Sequence, residues 1–484
     1  MAMTNKLRLL YTERAVLGIE PEDIRISAAL IGIEQGVIVS IEEGTRGALQ
    51  KKTSWSDVED LGDQLVTPAF INSHTHLSMV GFRGIGGLAS KAGNVVEDLY
   101  FRLETHLEEG DVRAFSRIGA LESLMSGTAF CWDHYYFATA VANGFKDVGL
   151  CGAVGPTLQD LGGPGVKFLD KAWEDTFLLD EDSQYRNSGI VSVIAPHATD
   201  TVSDDLWKRV AECALVCKLP IHTHLAQSIE EVERSVERYG CTPLTRMQNL
   251  GICDLHSSKL WVHGLFLSQQ EIDRLNPSYD YLGHCPGSQM QFAFPAPLNL
   301  WRQNNLKIVI GTDAASCNDS VNPQAELRFM SAADSYSVTK STAVEVFQKT
   351  GSMEDARKIQ EHRQLDFNAK IKYTSPQKLL YSLWGAPYKL HPKAPVGVIA
   401  VGAWANLCCW DTDHPSLWPA TDLLQTLAYN NITQGLLRIM VRGNWQFDGE
   451  GLLSHRIHQS FRVEEWLKEA TARIHLLRER AGLS

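Results

Sequence analysis

The chain predicts an α/β fold: a (β/α)8 TIM-like barrel carrying a small β-sandwich domain assembled from the N- and C-terminal segments. Three observations predict it. Through the middle of the chain, apolar strand candidates alternate with helical patterns, the signature of parallel β/α units. The residues of chemical interest fall at the C-terminal ends of those strands, the active face of such barrels. The two ends of the chain have another texture, short strands and turns, and each is too short to form a stable core alone.

Residues 1–66 are expected to form the first part of the β domain. Within them, apolar runs from Ala28 to Ile41 flank Glu34-Gln35-Gly36 and predict a hairpin. Residues 67–396 are expected to form the barrel. Its anchor is the apolar run from Leu65 to His76, treated as one strand, and the strands that follow are Gly127–Asp133, Gly149–Val154, Ile190–Ala195, Leu219–His224, Leu260–His263 and Lys307–Asp313. The segment 331–372 is polar, helical in texture and without a strand candidate; it predicts an excursion over the barrel mouth or a helix pair facing a partner. Residues 397–448 return to strand-like runs, Gly397–Asp411 and Leu436–Trp445, and are expected to complete the β domain. The tail, 449–484, contains one amphipathic helix from Phe461 to Leu477.

Composition narrows the function. At 484 residues the chain exceeds one ordinary core. A formal net charge of −12 argues against nucleic acid as a partner. No apolar stretch is long enough to span a bilayer, and the start has neither the apolar core nor the cleavage site of a signal peptide. The 10 cysteines are dispersed, several inside apolar runs, and no Cys-x-x-Cys pair occurs. They predict buried, reduced thiols in a cytoplasmic protein.

The chemistry starts at His74-Thr75-His76. Alternate residues of a strand share a face, so both imidazoles can reach one point and grip a divalent metal through neutral nitrogen. His222 and His224 repeat the arrangement in Leu219–Gln227, where either one can be merely structural. Asp313 ends Ile308-Val309-Ile310-Gly311-Thr312-Asp313; an isolated Asp there more often caps a helix or shapes a turn. His263 alone can equally be a satisfied core histidine.

Taken in order, these segments resemble the amidohydrolase superfamily, in the branch of cytosine and guanine deaminases, adenosine-type deaminases and triazine hydrolases. The resemblance rests on Pro68–His76, Ala195-Pro196-His197-Ala198, His222–Ala226, Val262-His263-Gly264, Gly283–Ser288 and Gly311–Ala314. It implies one divalent metal per chain held by His74, His76 and His224, with Asp313 as the fourth group. Zinc is the default, and iron (Fe2+) serves some relatives. No Lys ends the strand Ile190–Ala195, where two-metal relatives place a bridging carbamate. The resemblance further implies Asp313 as acceptor of the nucleophilic water's proton, His263 as the group that polarises the carbon under attack, and His197 and His284 as residues facing substrate. The last two can also be hydrogen-bond partners standing behind the site. A homodimer or higher homo-oligomer is expected.

The chain departs from these relatives at Gln227, where they carry Glu three residues after the metal histidine. An amide can hydrogen-bond water or a ring nitrogen but cannot ferry a proton at neutral pH. Three accounts remain open: a substrate that needs no acid there, an engineered inactive form, or a metal-bearing binding protein. Ala69, where relatives commonly have Gly, is a smaller departure. Phe82, Trp132, His134, Tyr135 and Tyr136 lie just beyond strand candidates and can either stack on a flat ring or pack the barrel mouth; Trp132 and Tyr135 are the preferred substrate contacts. With no arginine pair in matching loops, the expected substrate is a neutral heteroaromatic ring (purine, pterin, pyrimidine or triazine). The expected reaction is hydrolytic loss of an amino group, with loss of a halide or alkylthio group, or cyclic amide opening, as alternatives.

Overall fold

The computed structural model describes residues 7–85, 94–292, 296–337, 342–361 and 374–483. The N-terminal strands are β1 (Arg8–Leu17), β2 (Arg25–Glu34), β3 (Val37–Glu43), β4 (Val58–Asp60) and β5 (Leu65–Pro68). The predicted hairpin is β2–β3, antiparallel. Its turn places Gln35 at φ 51° and Gly36 at φ 79°, the left-handed pair that matches the twist of the flanking strands.

The anchor run is two strands rather than one. β5 ends at Pro68, and β6 (Phe70–His76) begins one residue later in a different sheet. Proline has no N–H to continue a ladder, and Ala69 donates instead to the carbonyl of Asn406. The chain thus passes from the β domain into the barrel in a single residue.

The barrel continues through β7 (Thr128–Tyr135), β8 (Cys151–Leu158), β9 (Ile190–Ser192), β10 (Ala195–Pro196), β11 (Ile221–Leu225), β12 (Lys259–His263), β13 (Asp280–His284), β14 (Lys307–Ile310) and β15 (Asp313–Ala314). All pairings among them are parallel. Two seams close the ring. A parallel bridge joins Ile194 to Ile221, and Thr312 N–H donates to the His74 carbonyl at 3.0 Å while Gly311 N–H donates to the His284 carbonyl at 2.9 Å. At Gly311 a Cβ would stand 2.6 Å from the His74 carbonyl oxygen, so the second seam needs glycine. With β9 and β10 sharing one position and β14 and β15 another, the strands fill eight positions around the barrel.

The chain returns to the first sheet with β16 (Leu407–Trp410), β17 (Leu436–Val441) and β18 (Asn444–Gln446). The sheet runs β18-β17-β16-β5-β1-β2-β3, with β4 also on β1, so strands from both ends of the chain meet where β5 pairs β16. Of the strand expected over Gly397–Asp411, only Leu407–Trp410 is extended; Gly397 and Gly402 turn the preceding stretch at φ 94° and 89°. Helices Pro323–Ser337 and Ala343–Thr350 occupy part of the predicted excursion; 338–341 and 362–373 lie outside the described residues. The tail helix spans Phe461–Arg480 and lies against the helix Glu109–Met125, tied by Arg117 Nη1 to Glu469 at 3.0 Å. All ten cysteines are free and none is exposed. Among the described residues no helix is long and apolar enough to cross a membrane.

Candidate active site

β6 and β11 deliver three imidazoles placed to hold a metal ion. Ligand atoms of His74, His76 and His224 all lie within 4.8 Å of one another, and a second group, His74, His263 and Asp313, meets the same limit. Asp313 Oδ1 stands 3.6 Å from His74 Nε2 and 3.5 Å from His76 Nε2. The orientation of each ring is set from behind. His76 Nδ1 bonds the His134 carbonyl, and His224 Nδ1 bonds the His197 carbonyl at 2.7 Å. A carbonyl only accepts, so both Nδ1 atoms carry the proton and both Nε2 atoms offer a lone pair. His74 Nδ1 meets His222 Nε2 at 2.8 Å, which makes His222 the partner behind His74.

Burial makes these rings ready for a cation. It pushes His74 down to about 3, with the nearby Asp313 carboxylate opposing, and it also lowers His76 and His224. Uncharged imidazole is the form that ligates metal. His74 Nε2 is buried and makes no hydrogen bond within the protein, its neighbour Asp313 Oδ1 lying 3.6 Å away, which leaves the nitrogen free to act as a ligand atom.

Asp313 is buried, which by itself raises its pKa; His74 and the other imidazoles around it overcome this and hold the carboxylate well below its ordinary value. Ser288 Oγ donates to Oδ2 at 2.7 Å, leaving Oδ1 to face His74 and His76. His263 Nε2 lies 4.0 Å from Asp313 Oδ2, and its Nδ1 faces the Gln289 amide at 3.4 Å. With Nδ1 as acceptor, His263 presents Nε2–H to the site. Three non-glycine residues here are left-handed: Ala226 at φ 48°, His263 at φ 75° and Asp313 at φ 60°. Such strain collects at functional sites because it aims side chains that relaxed strands would not.

A cavity of about 300 Å³ opens over these groups. His76, His224, His263, Asp313, His197, Tyr135 and Gln227 line it. His197 holds Thr201 Oγ1 through Nδ1 at 2.9 Å. Gln227 donates its backbone N–H to Glu231 Oε2 at 2.8 Å, and its side-chain amide has no protein partner among the described residues. Trp132 and His284 do not line the cavity. Trp132 lies two residues below His134 on the same inward face of β7 and fills the barrel interior, 5.8 Å from both His222 and His391. His284 is buried against Trp301 at 6.0 Å. Phe82 is likewise buried outside the cavity wall.

Sequence reasoning gave no role to Ser288, Glu104 or Glu231. Ser288 sat inside a recognised segment, Gly283–Ser288, and its contact with Asp313 crosses 25 residues. Glu104 and Glu231 lie in helices rich in charge, where nothing marks a carboxylate as buried. Burial raises both to about 7; the Tyr135 hydroxyl pulls Glu104 the other way, while Asp200 adds to the rise at Glu231.

Two expected outcomes follow from these contacts. Ser288→Ala should lower kcat by about tenfold with metal content unchanged, since a hydrogen bond to a charged group is worth ~1.5–3 kcal/mol; metal analysis beside steady-state kinetics checks it. For Glu104, the folded pKa lies above the unfolded value near 4.5. Between about pH 4.5 and 7 the unfolded state is ionised while the folded state still holds its proton, so stability falls as pH rises through that window and then levels. Glu104→Gln should remove that fall, about 3 kcal/mol at pH 8 and near zero at pH 4, measured by urea denaturation at both values.

Fold and site together define a barrel hydrolase built to hold a divalent metal. The chain belongs to the amidohydrolase family, whose family model, described as "Amidohydrolase family", matches residues 65–353. It is 26% identical to a 5-methylthioadenosine/S-adenosylhomocysteine deaminase of Halobacterium salinarum over 92% of this chain and 94% of that one. With the protein of the same name from Moorella thermoacetica it shares 27% identity over 93% and 97%. Two solved structures share the fold. An adenosine deaminase from Xanthomonas campestris with bound zinc superposes with a TM-score of 0.73 at 19% identity, covering 96% of this chain and 98% of that one. The atrazine chlorohydrolase of Arthrobacter aurescens, complexed with zinc, gives 0.73 at 18%, covering 96% and 99%.

Proposed function

We propose that this protein is a zinc-dependent aminohydrolase that removes the amino group from an adenine-type ring. It would hold one metal ion per chain at His74, His76 and His224, with Asp313 beside it. The carrying observation is that three imidazoles converge at the base of the cavity, His76 and His224 lining it and His74 buried beside them, with Asp313 Oδ1 3.5 Å from His76 and 3.6 Å from His74. The names of the relatives from Halobacterium and Moorella support the choice of ring. A divalent ion bound there supplies Lewis acidity and makes a nucleophilic water available at neutral pH.

The residues divide the remaining work. Asp313 Oδ1 accepts the proton of the attacking water and returns it to the departing amino group, which leaves as ammonia, and Ser288 keeps Oδ2 out of that exchange. His263 Nε2–H polarises the carbon under attack and stabilises charge that develops there. Tyr135 and His197 bound the ring from the cavity wall. Gln227 orients the ring or the leaving group by hydrogen bonding, without transferring a proton.

Gln227 also favours a second reading. A halide departs without protonation, so a site lacking the glutamate suits displacement of chloride from a triazine or related ring, as the name of the Arthrobacter enzyme suggests for that protein. Metal-loaded protein tested on aminated and chlorinated heterocycles, following ammonia and chloride, separates the two. Ammonia release with the ring chromophore retained supports deamination and excludes cyclic amide opening. Chloride release alone supports the second reading. No turnover of any ring, with binding retained, overturns both in favour of a metal-bearing binding protein.

A further inference from the structure

His134, the penultimate residue of β7, lies in the cavity wall and has no role in the chemistry described above. It is 1% exposed, and its ring lies 5.2 Å from His224 in near-parallel contact, 5.4 Å from His222, 5.9 Å from His76 and 6.1 Å from His197. Its backbone carbonyl is committed to His76 Nδ1. Its ring is not: Nδ1 and Nε2 are both buried without a protein partner. Leaving a buried polar atom unpaired costs ~1–3 kcal/mol, and such groups in a native structure call for an explanation. His284 has the same two unpaired nitrogens but stands outside the cavity wall, where no ligand reaches it.

The position of His134 around the barrel says what could reach it. Counting from β6, β7 is the second position and β12 the sixth of eight, so His134 and His263 face each other across the mouth with the metal-binding imidazoles between them. A flat ring lying over those imidazoles, with its reacting carbon under His263, turns its opposite edge to His134. The ring is buried among these imidazoles, and an uncharged imidazole offers one donor and one acceptor.

We infer that His134 is a specificity-determining residue that hydrogen-bonds a ring nitrogen of the heterocycle on the edge away from His263. This rests on the adenine-type reading above and adds to it the side from which the ring is recognised. A site built to hydrogen-bond one edge discriminates strongly against a ligand lacking the partner atom, because its own buried groups are then left unpaired.

The test is equilibrium calorimetry on zinc-loaded protein with purine riboside and its 3-deaza and 7-deaza forms, none of which carries the departing amino group; N3 stands opposite the reacting carbon, and N7 beside it. The unmodified protein is expected to bind purine riboside at least about tenfold more tightly than the 3-deaza form. His134→Leu should abolish that preference, and His134→Gln, which keeps a donor and an acceptor, should retain part of it. Zinc content equal to that of the unmodified protein reports that the site is intact; His134→Met provides a second apolar replacement. A preference that survives in the apolar variants, or equal binding of all three ligands by the unmodified protein, overturns the assignment of His134, the latter leaving an ordered water as partner of the ring. If the unmodified protein binds none of the three, the adenine-type reading itself falls and takes this assignment with it.

Discussion

Alanine in place of His74, His76 or His224 is expected to reduce bound metal from one ion per chain to near none and hydrolysis by ~10³ or more, because Lewis-acid stabilisation is worth several kcal/mol. In the proposed site each of the three would supply one ligand nitrogen, leaving two imidazoles after any one substitution. His222→Ala should behave differently. It removes only the partner behind His74 Nδ1, and loss of such a partner typically weakens metal affinity by ~10–100-fold. Metal analysis of freshly purified protein, followed by zinc titration of each variant, checks both expectations. Two ions per unmodified chain, or full occupancy in the His224→Ala protein, would overturn the assignment.

Gln227→Glu is expected to raise turnover of an amino-substituted ring by ~10²–10⁴ with metal content unchanged, because it adds a positioned general acid to the cavity wall. The surroundings favour a protonated carboxyl at this position. Glu231, which accepts the Gln227 N–H at 2.8 Å, is already raised to about 7 by burial, and a second carboxylate beside it and Asp313 would be raised by repulsion as well. The comparison is kcat for both forms on one substrate across pH values around neutrality. A clear fall with Glu would instead assign the amide a native part in the reaction. An unchanged kcat would show that proton delivery to the leaving group does not limit turnover.

Much of the site was legible because its elements are local. The spacing of His74 and His76 puts two imidazoles on one strand face whatever surrounds them. His224, His263 and Asp313 each close an apolar run of strand formers, which is where a barrel of β/α units exposes side chains to ligand. The resemblance then ordered them. The strand Asp280–His284 was missed because its apolar content, Tyr281 and Leu282, is too short to register against a polar background. The boundary between β5 and β6 was missed because both halves of Leu65–His76 have strand composition; only the partners, β16 for one and β7 for the other, separate them.

What the amino-acid order determined by itself was periodicity: which runs form strands, which residues end them, and therefore which imidazoles can meet a metal. What only the tertiary structure decided was depth and partnership. Trp132 and His134 have the same alternation on β7, yet the first is barrel filling and the second lines the cavity, since two residues along a strand shift a side chain by roughly 6.6–6.8 Å. Glu104 and Glu231 have the composition of solvated helix faces, and only the packing of other segments over them removes their water and raises their pKa. Ser288 reaches Asp313, and His222 reaches His74, across 25 and 148 residues of chain. Contacts of that kind carry no local signature, because they arise from the closure of the barrel, which brings distant strand ends to one face.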